Sequence, residues 1–228
     1  MQIAELWRYP VKSMAGERLE RTRLGVDGVL GDRQLYVVDS AGEIVSARTR
    51  PQLLAHRATL GPDGEVHVDG LPWHDPRVAA KVRAAAGAGA RLVEASGPER
   101  FDILPLLVTT DGALAAFGRD PRRLRPNIVI AGVEGLAERG WEWSLLAAGE
   151  AVIALADLRA RCIVTTWDPD RLEQDVGVLR DIRARFGGSL ALNAWAGRPG
   201  EVAVGDAVVR LDERLELAVP ATGRFVAA

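Results

Sequence analysis

The run LALNAWAGRPGEVAVGDAVVRL, residues 190–211, sets the fold class. Leu190 to Ala196, Glu201 to Val204 and Ala207 to Leu211 are short apolar or alternating runs, separated by turn residues at Pro199-Gly200 and Gly205-Asp206. Strands this short and this regularly spaced predict a mainly β chain with a few helices (α+β), built as two barrel-like units, and not a doubly wound α/β sheet. The same grammar extends in both directions. Downstream, Leu215 to Val219 reads as one more strand. Upstream, strands are predicted at Ile103 to Thr110, Asn127 to Ala131, Ala151 to Ala156 and Cys162 to Thr166, with helices at Gly112 to Phe117 and Asp175 to Phe186.

The N-terminal part reads likewise. Residues 2–9 form a strand with Ile3, Trp7 and Tyr9 on one face and Ala4 and Leu6 on the other, ended by Pro10. Meander-like strands follow at 17–24, 34–38 and 44–45, and the Gly-Pro-Asp-Gly turn at 61–64 opens a hairpin through residues 65–69 and 71–73. Arg77 to Ala86 is a helix capped by Asp75-Pro76, and Arg91 to Ala95 a strand. The Ser-Gly-Pro cluster at 96–98 marks the expected boundary between units 1–95 and 96–228.

Composition removes several functions. The 228 residues carry 31 acidic and 29 basic side chains, a net charge of −2, which argues against a nucleic-acid binder. A single cysteine excludes an internal disulfide, a zinc site built on several cysteines and an iron–sulfur cluster held by four of them. Glu5 and Arg8 interrupt any signal-like segment, and no window approaches 18 uninterrupted apolar residues, so a cytoplasmic protein without membrane association is expected. Only Lys12 and Lys81 are lysines, so nearly all the basic charge is arginine, suited to planar oxyanions.

The lone Cys162 stands in Arg159-Ala-Arg-Cys-Ile-Val-Thr-Thr-Trp-Asp-Pro-Asp170. A cysteine among β-branched residues is commonly an inert core group. Here Arg159 and Arg161 precede it, and nearby cations favour the thiolate that acts as nucleophile or soft-metal ligand. Asp168-Pro-Asp170 then breaks the chain as a pocket rim would. Lys12-Ser13 after a strand-ending proline, and Arg125-Pro-Asn127, have anion-binding chemistry, but each by itself reads first as a surface turn. Gly87-Ala-Gly89 follows a helix and precedes a strand, the wrong order for a nucleotide site, and His56, His67 and His74 have no metal-ligand spacing.

Taken together, Tyr-Pro-Val-Lys-Ser at 9–13, Gly-Asp-Arg at 31–33, Arg-Pro-Asn-Ile-Val-Ile at 125–130, Arg-Cys-Ile-Val-Thr-Thr-Trp-Asp-Pro-Asp at 161–170 and Pro-Gly-Glu-Val-Ala-Val-Gly-Asp at 199–206 resemble the MOSC family. They occur in the family's order and span almost the whole chain. The arrangement is that of the mitochondrial amidoxime-reducing components and their bacterial relatives, an N-terminal β-barrel domain followed by the MOSC domain. The resemblance implies a molybdenum-pterin cofactor between the domains, ligated by Cys162. It also implies cofactor contacts from Lys12, Ser13, Arg33, Thr109, Thr110, Arg125, Asn127, Arg161 and Asn193. Pyridoxal phosphate binding attaches to the family only as a general label.

The reaction implied is two-electron reduction of a small N-oxygenated molecule, with electrons from a separate ferredoxin or a flavin or iron–sulfur reductase. The alternative is a non-redox carrier of sulfur or cofactor on Cys162; a third reading is a β-rich interaction protein. Trp167 and Trp195 read first as core residues, with a place in a substrate pocket as the other reading. The chain departs from the family at Arg159-Ala-Arg-Cys162, where relatives often read Cys-Ser-Arg-Cys, and at Asp111-Gly-Ala113, where they often carry serine. Arg159 is the expected compensating cation.

Overall fold

Residues 1–211 are described in a computed structural model of the chain, and the strand expected at Leu215 to Val219 lies outside them. Strand β1 (Gln2–Arg8) carries the first correction to the pattern. Ile3 and Leu6, assigned to opposite faces by strict alternation, are both fully buried in one cluster, because the register shifts by a bulge between Ile3 and Glu5.

Short strands continue as β2 (Glu17–Leu19), β3 (Arg21–Gly25), β4 (Gly28–Val29), β5 (Leu35–Val38), β6 (Ile44–Val45), β7 (Ala58–Leu60), β8 (Val66–Val68) and β9 (Leu71–Pro72). Helix α1 (Pro76–Ala86) starts where Asp75 accepts the Arg77 amide at 2.8 Å, and β10 (Arg91–Glu94) completes this half. Val78 and Val82 of α1 close over Val11, Met14, Leu35, Val37 and Leu53, the local core.

The second half contains β11 (Leu106–Thr110), α2 (Asp111–Phe117), β12 (Ile128–Ala131), β13 (Leu145–Ala148), β14 (Ala151–Ala160), α3 (Val176–Phe186), β15 (Ser189–Arg198), β16 (Gly200–Ala203) and β17 (Val208–Leu211). Eight strands join in the order β17-β13-β14-β15-β11-β12-β1-β2, an open sheet, beside three sheets of three strands. The barrel-like units expected from the strand spacing are therefore not closed among the described residues. Two pairings tie the halves together: β1 lies antiparallel to β12, and β16 pairs with β3. Val178, Ile182 and Phe186 of α3 pack on Phe117 of α2 and on Leu124.

The strand expected over Cys162 to Thr166 is absent. Residues Ile163–Thr166 form a 3₁₀ turn, and β14 instead runs on to Ala160. The β-branched run misleads because its hydroxyls serve the turn: Thr165 Oγ1 donates to the Cys162 carbonyl at 2.8 Å and Thr166 Oγ1 to that of Ile163 at 2.6 Å. No helix among the described residues is long and apolar enough to cross a membrane.

Candidate functional site

Three loops converge at the ends of these strands. The first leaves β1 as Tyr9-Pro-Val-Lys-Ser13, where the Tyr9 amide donates to Asp32 Oδ1 at 2.6 Å and the Arg33 amide returns to the Tyr9 carbonyl at 2.8 Å. The second, Arg123-Leu-Arg-Pro-Asn127, is anchored by Leu124, which is buried against α3. The third is the end of β14, where the Arg161 amide still bonds Gly188 at 2.9 Å before Cys162 opens the 3₁₀ turn.

Between these loops lies a cavity of about 270 Å³. Lys12, Arg33, Arg48, Arg123, Arg125, Arg159, Arg161 and Cys162 line it, and Asp102 is the one carboxylate that does so among the described residues. Ser13, Arg33 and Arg125 on its wall hold φ of 72°, 49° and 57°. A side chain in this left-handed region costs about 1–2 kcal/mol, and such strain concentrates where a loop must present particular groups.

Asp102 organises the cations. Its carboxylate receives Lys12 Nζ at 3.3 Å, Arg48 at 3.2 Å and Arg159 at 3.2 Å. Burial opposes its charge, but Lys12, Arg48 and Arg159 outweigh that and hold the carboxyl well below the usual range. Arg48 is likewise disfavoured by burial, yet Asp102 and a hydrogen bond with the Cys162 side chain keep it firmly protonated. Arg161 is pushed down to about 10, first by burial and then by the neighbouring Arg159, with Cys162 opposing. Burial also lowers Lys12, Arg125 and Arg159.

Tyr9 is a platform for both halves. Its hydroxyl donates to the Pro126 carbonyl at 3.2 Å, and the guanidiniums of Arg125 and Arg33 lie 4.2 Å and 5.5 Å from its ring centre. Burial raises its phenol to about 12, so it stays neutral.

The expected site residues divide accordingly. Lys12, Ser13, Arg33, Arg125, Asn127, Arg161 and Cys162 all line the cavity. Several are already engaged within the protein. Lys12 Nζ donates to the carbonyls of Glu99 and Phe101 at 3.1 and 3.2 Å, and Ser13 Oγ accepts the Ala47 amide at 2.9 Å. Arg33 pairs with Asp32. The Asn127 amide joins β11 to β1, accepting from Leu107 N at 3.1 Å and donating to the Trp7 carbonyl at 3.3 Å.

Thr109, Thr110 and Asn193 do not line the cavity. Thr110 caps α2 through the Ala113 amide and donates to the buried Glu138 at 3.3 Å, while the Thr109 hydroxyl is buried without a partner among the described residues. Asn193 acts from behind: it accepts from Arg159 at 3.0 Å and donates to Asp157 at 3.0 Å. Trp195 packs in a core cluster, as expected of a tryptophan on a strand. Arg48, Asp102, Arg123 and Tyr9 were not among the expected site residues. Tyr9 alone stood inside a quoted motif; nothing local distinguishes Arg48 and Asp102, whose roles arise from distant partners.

The donor set fits an anionic ligand with a soft-metal end. Arg161 Nε is buried with no partner among the described residues, and the Arg125 guanidinium has no hydrogen-bond acceptor among them. Cys162, partly exposed on the same wall, supplies a sulfur donor.

Sequence comparison matches the MOSC N-terminal beta barrel domain over residues 1–102 and the MOSC domain over residues 111–209. Among curated proteins, the chain is 27% identical to mitochondrial amidoxime reducing component 2 of Macaca fascicularis, covering 74% of this chain and 67% of that one. It is 27% identical to mitochondrial amidoxime-reducing component 1 of Homo sapiens, with 74% and 66% covered. The chain thus spans about two thirds of the length of these relatives. Among solved structures, the YuaD protein from Bacillus subtilis aligns at 13% identity and TM-score 0.44, covering 91% of this chain and 93% of that one. YiiM from Escherichia coli aligns at 11% and 0.45, with 96% and 74% covered.

Proposed function

The chain belongs to the MOSC family, and from that premise we propose that it is a molybdenum-cofactor-dependent oxidoreductase reducing small N-oxygenated molecules, with Cys162 as the metal ligand. The observation that carries this reading is the cavity itself: one thiol and seven cations, drawn from both halves of the chain, face each other across about 270 Å³. When bound, the cofactor supplies two-electron oxygen-transfer chemistry. In the overall reaction an N–O bond breaks, two electrons and two protons enter, and water leaves.

The chain's own residues bind and orient. Arg125 and Arg161 offer the unused donors for an anionic cofactor, each charge-assisted hydrogen bond contributing about 1.5–3 kcal/mol. Arg48 and the 3₁₀ turn after Cys162 hold the sulfur in place. Asp102 fixes Lys12, Arg48 and Arg159 so that they do not reorganise when the ligand arrives. The proposed electron donor is a ferredoxin or a flavin or iron–sulfur reductase, since the single cysteine of these 228 residues cannot hold a four-cysteine cluster.

The test is to produce wild type and Cys162→Ala in a molybdenum-competent host. Molybdenum, pterin and persulfide sulfur are then measured, together with benzamidoxime reduction by a chemically reduced dye. Wild type is expected to hold metal and pterin and to reduce the amidoxime; the variant is expected to lose both metal and activity while keeping its circular dichroism. Full metal loading without reduction by any donor overturns the enzyme reading in favour of a cofactor carrier. Persulfide sulfur on Cys162 without molybdenum overturns it in favour of sulfur transfer.

A further inference from the structure

A second cavity, of about 550 Å³, adjoins the first and shares Arg123, Arg125 and Val164 with it. Val164 belongs to the turn that begins at Cys162, and Trp167, which ends that turn, lines the second cavity together with Trp7. Each indole offers a flat apolar face on which an aromatic ring stacks.

The charges on its wall do not cancel. Arg122 is held by Asp120 and Asp170, each at 2.6 Å, and Arg123 by Asp168 at 2.9 Å. Arg57, Arg125 and Arg171 have no side-chain hydrogen-bond acceptor or ion-pair partner among the described residues; Arg171 has Asp168 and Asp170 nearby, and Arg125 has Asp32, Asp102 and the Tyr9 ring. Arg125 also faces the first cavity, whereas the exposed Arg57 belongs to the second alone. An arginine fork left open beside aromatic faces is matched by a planar body carrying a carboxylate or a similar oxyanion.

We propose that this second chamber holds the organic body of the substrate, and that the preferred substrate is an N-oxygenated compound with a planar aromatic ring and an anionic group. The ring lies between Trp7 and Trp167, the anion meets Arg57, and the N–O end points past Arg125 toward Cys162. This rests on the reduction proposed above, but the chamber's binding preference is separable from turnover.

The experiment compares benzamidoxime with para-carboxybenzamidoxime, measuring binding by calorimetry and tryptophan quenching on both cofactor-free and cofactor-loaded protein, and reduction on the loaded protein. Wild type is expected to bind the carboxylated compound about tenfold more tightly, a preference that shrinks with added salt. Arg57→Gln, at an exposed position, is expected to bring the ratio close to one, and Trp167→Leu to weaken both compounds. Equal binding of the two compounds by wild type, or an unchanged ratio in Arg57→Gln with intact circular dichroism, overturns the proposal. A carboxylate preference that Arg57→Gln abolishes, without turnover of either compound, supports the chamber and overturns the reductase reading. Turnover of both compounds without preference does the reverse.

Discussion

At the scale of single residues, Asp102 concentrates the cost of gathering cations. Its carboxyl, held down by Lys12, Arg48 and Arg159, contributes stability that is present above the unfolded value near pH 4 and lost as pH falls through the folded one. Asp102→Asn is therefore expected to lower stability at pH 7 and to flatten the acid limb below about pH 4 in urea unfolding. Its side chain is 35% exposed, so screening limits the loss at pH 7 to about 1–2 kcal/mol. Glu138 behaves in the opposite sense. It is fully buried, Oε1 has no partner among the described residues, and burial raises its carboxyl. A raised carboxyl gives stability below the unfolded value that is lost as pH rises through the folded one. Glu138→Gln is expected to resist urea better than wild type at pH 8 and about equally at pH 4. Lys12, Arg125 and Cys162 were legible because each sits in a short motif; Asp102 was not, because its three partners come from positions 12, 48 and 159.

At the scale of elements, the three helices read correctly, whereas the alternation of β1 is broken by its bulge. Asp75 caps α1 as expected, Asp175, read as the first helical residue, is instead the cap of α3, and of Val178, Leu179 and Ile182 on one face Val178 and Ile182 are buried and Leu179 half-buried. The second error falls where side chains serve the backbone. The threonines that suggested a strand after Cys162 instead close a 3₁₀ turn. The segment Asp111-Gly-Ala113 is tightly packed at its centre. A Cβ on Gly112 would meet the carbonyl oxygens of Val133 and Gly135 at 2.4 Å each. Asp111 reinforces the packing by accepting the amides of Gly132 at 2.7 Å and Val133 at 3.1 Å. Gly112→Ser is expected to destabilise the protein by at least about 2 kcal/mol in urea unfolding, because backbone cannot yield as a side-chain tip can.

At the scale of the whole molecule, the two halves are joined through their sheets. β1 supplies one neighbour of β12, and β16 one neighbour of β3. Cutting near residue 99 removes a partner strand from each side and exposes unpaired edges beside apolar faces. Fragments 1–99 and 100–228 made separately are expected to aggregate, and co-expressed to purify as one soluble complex; a separately made 100–228 fragment showing a cooperative thermal transition would contradict this. The sequence by itself determined the strand-rich class, the helices and the order of the motifs, because these follow from local periodicity, capping and turn chemistry. Only the tertiary structure decided that Arg48 meets Cys162, that Asn193 braces Arg159 instead of lining the cavity, and that Arg57 and Arg125 are left without acceptors among the described residues. Those relations are set by which distant strands pair, and a charge's state depends on what surrounds it in space and not on its neighbours along the chain.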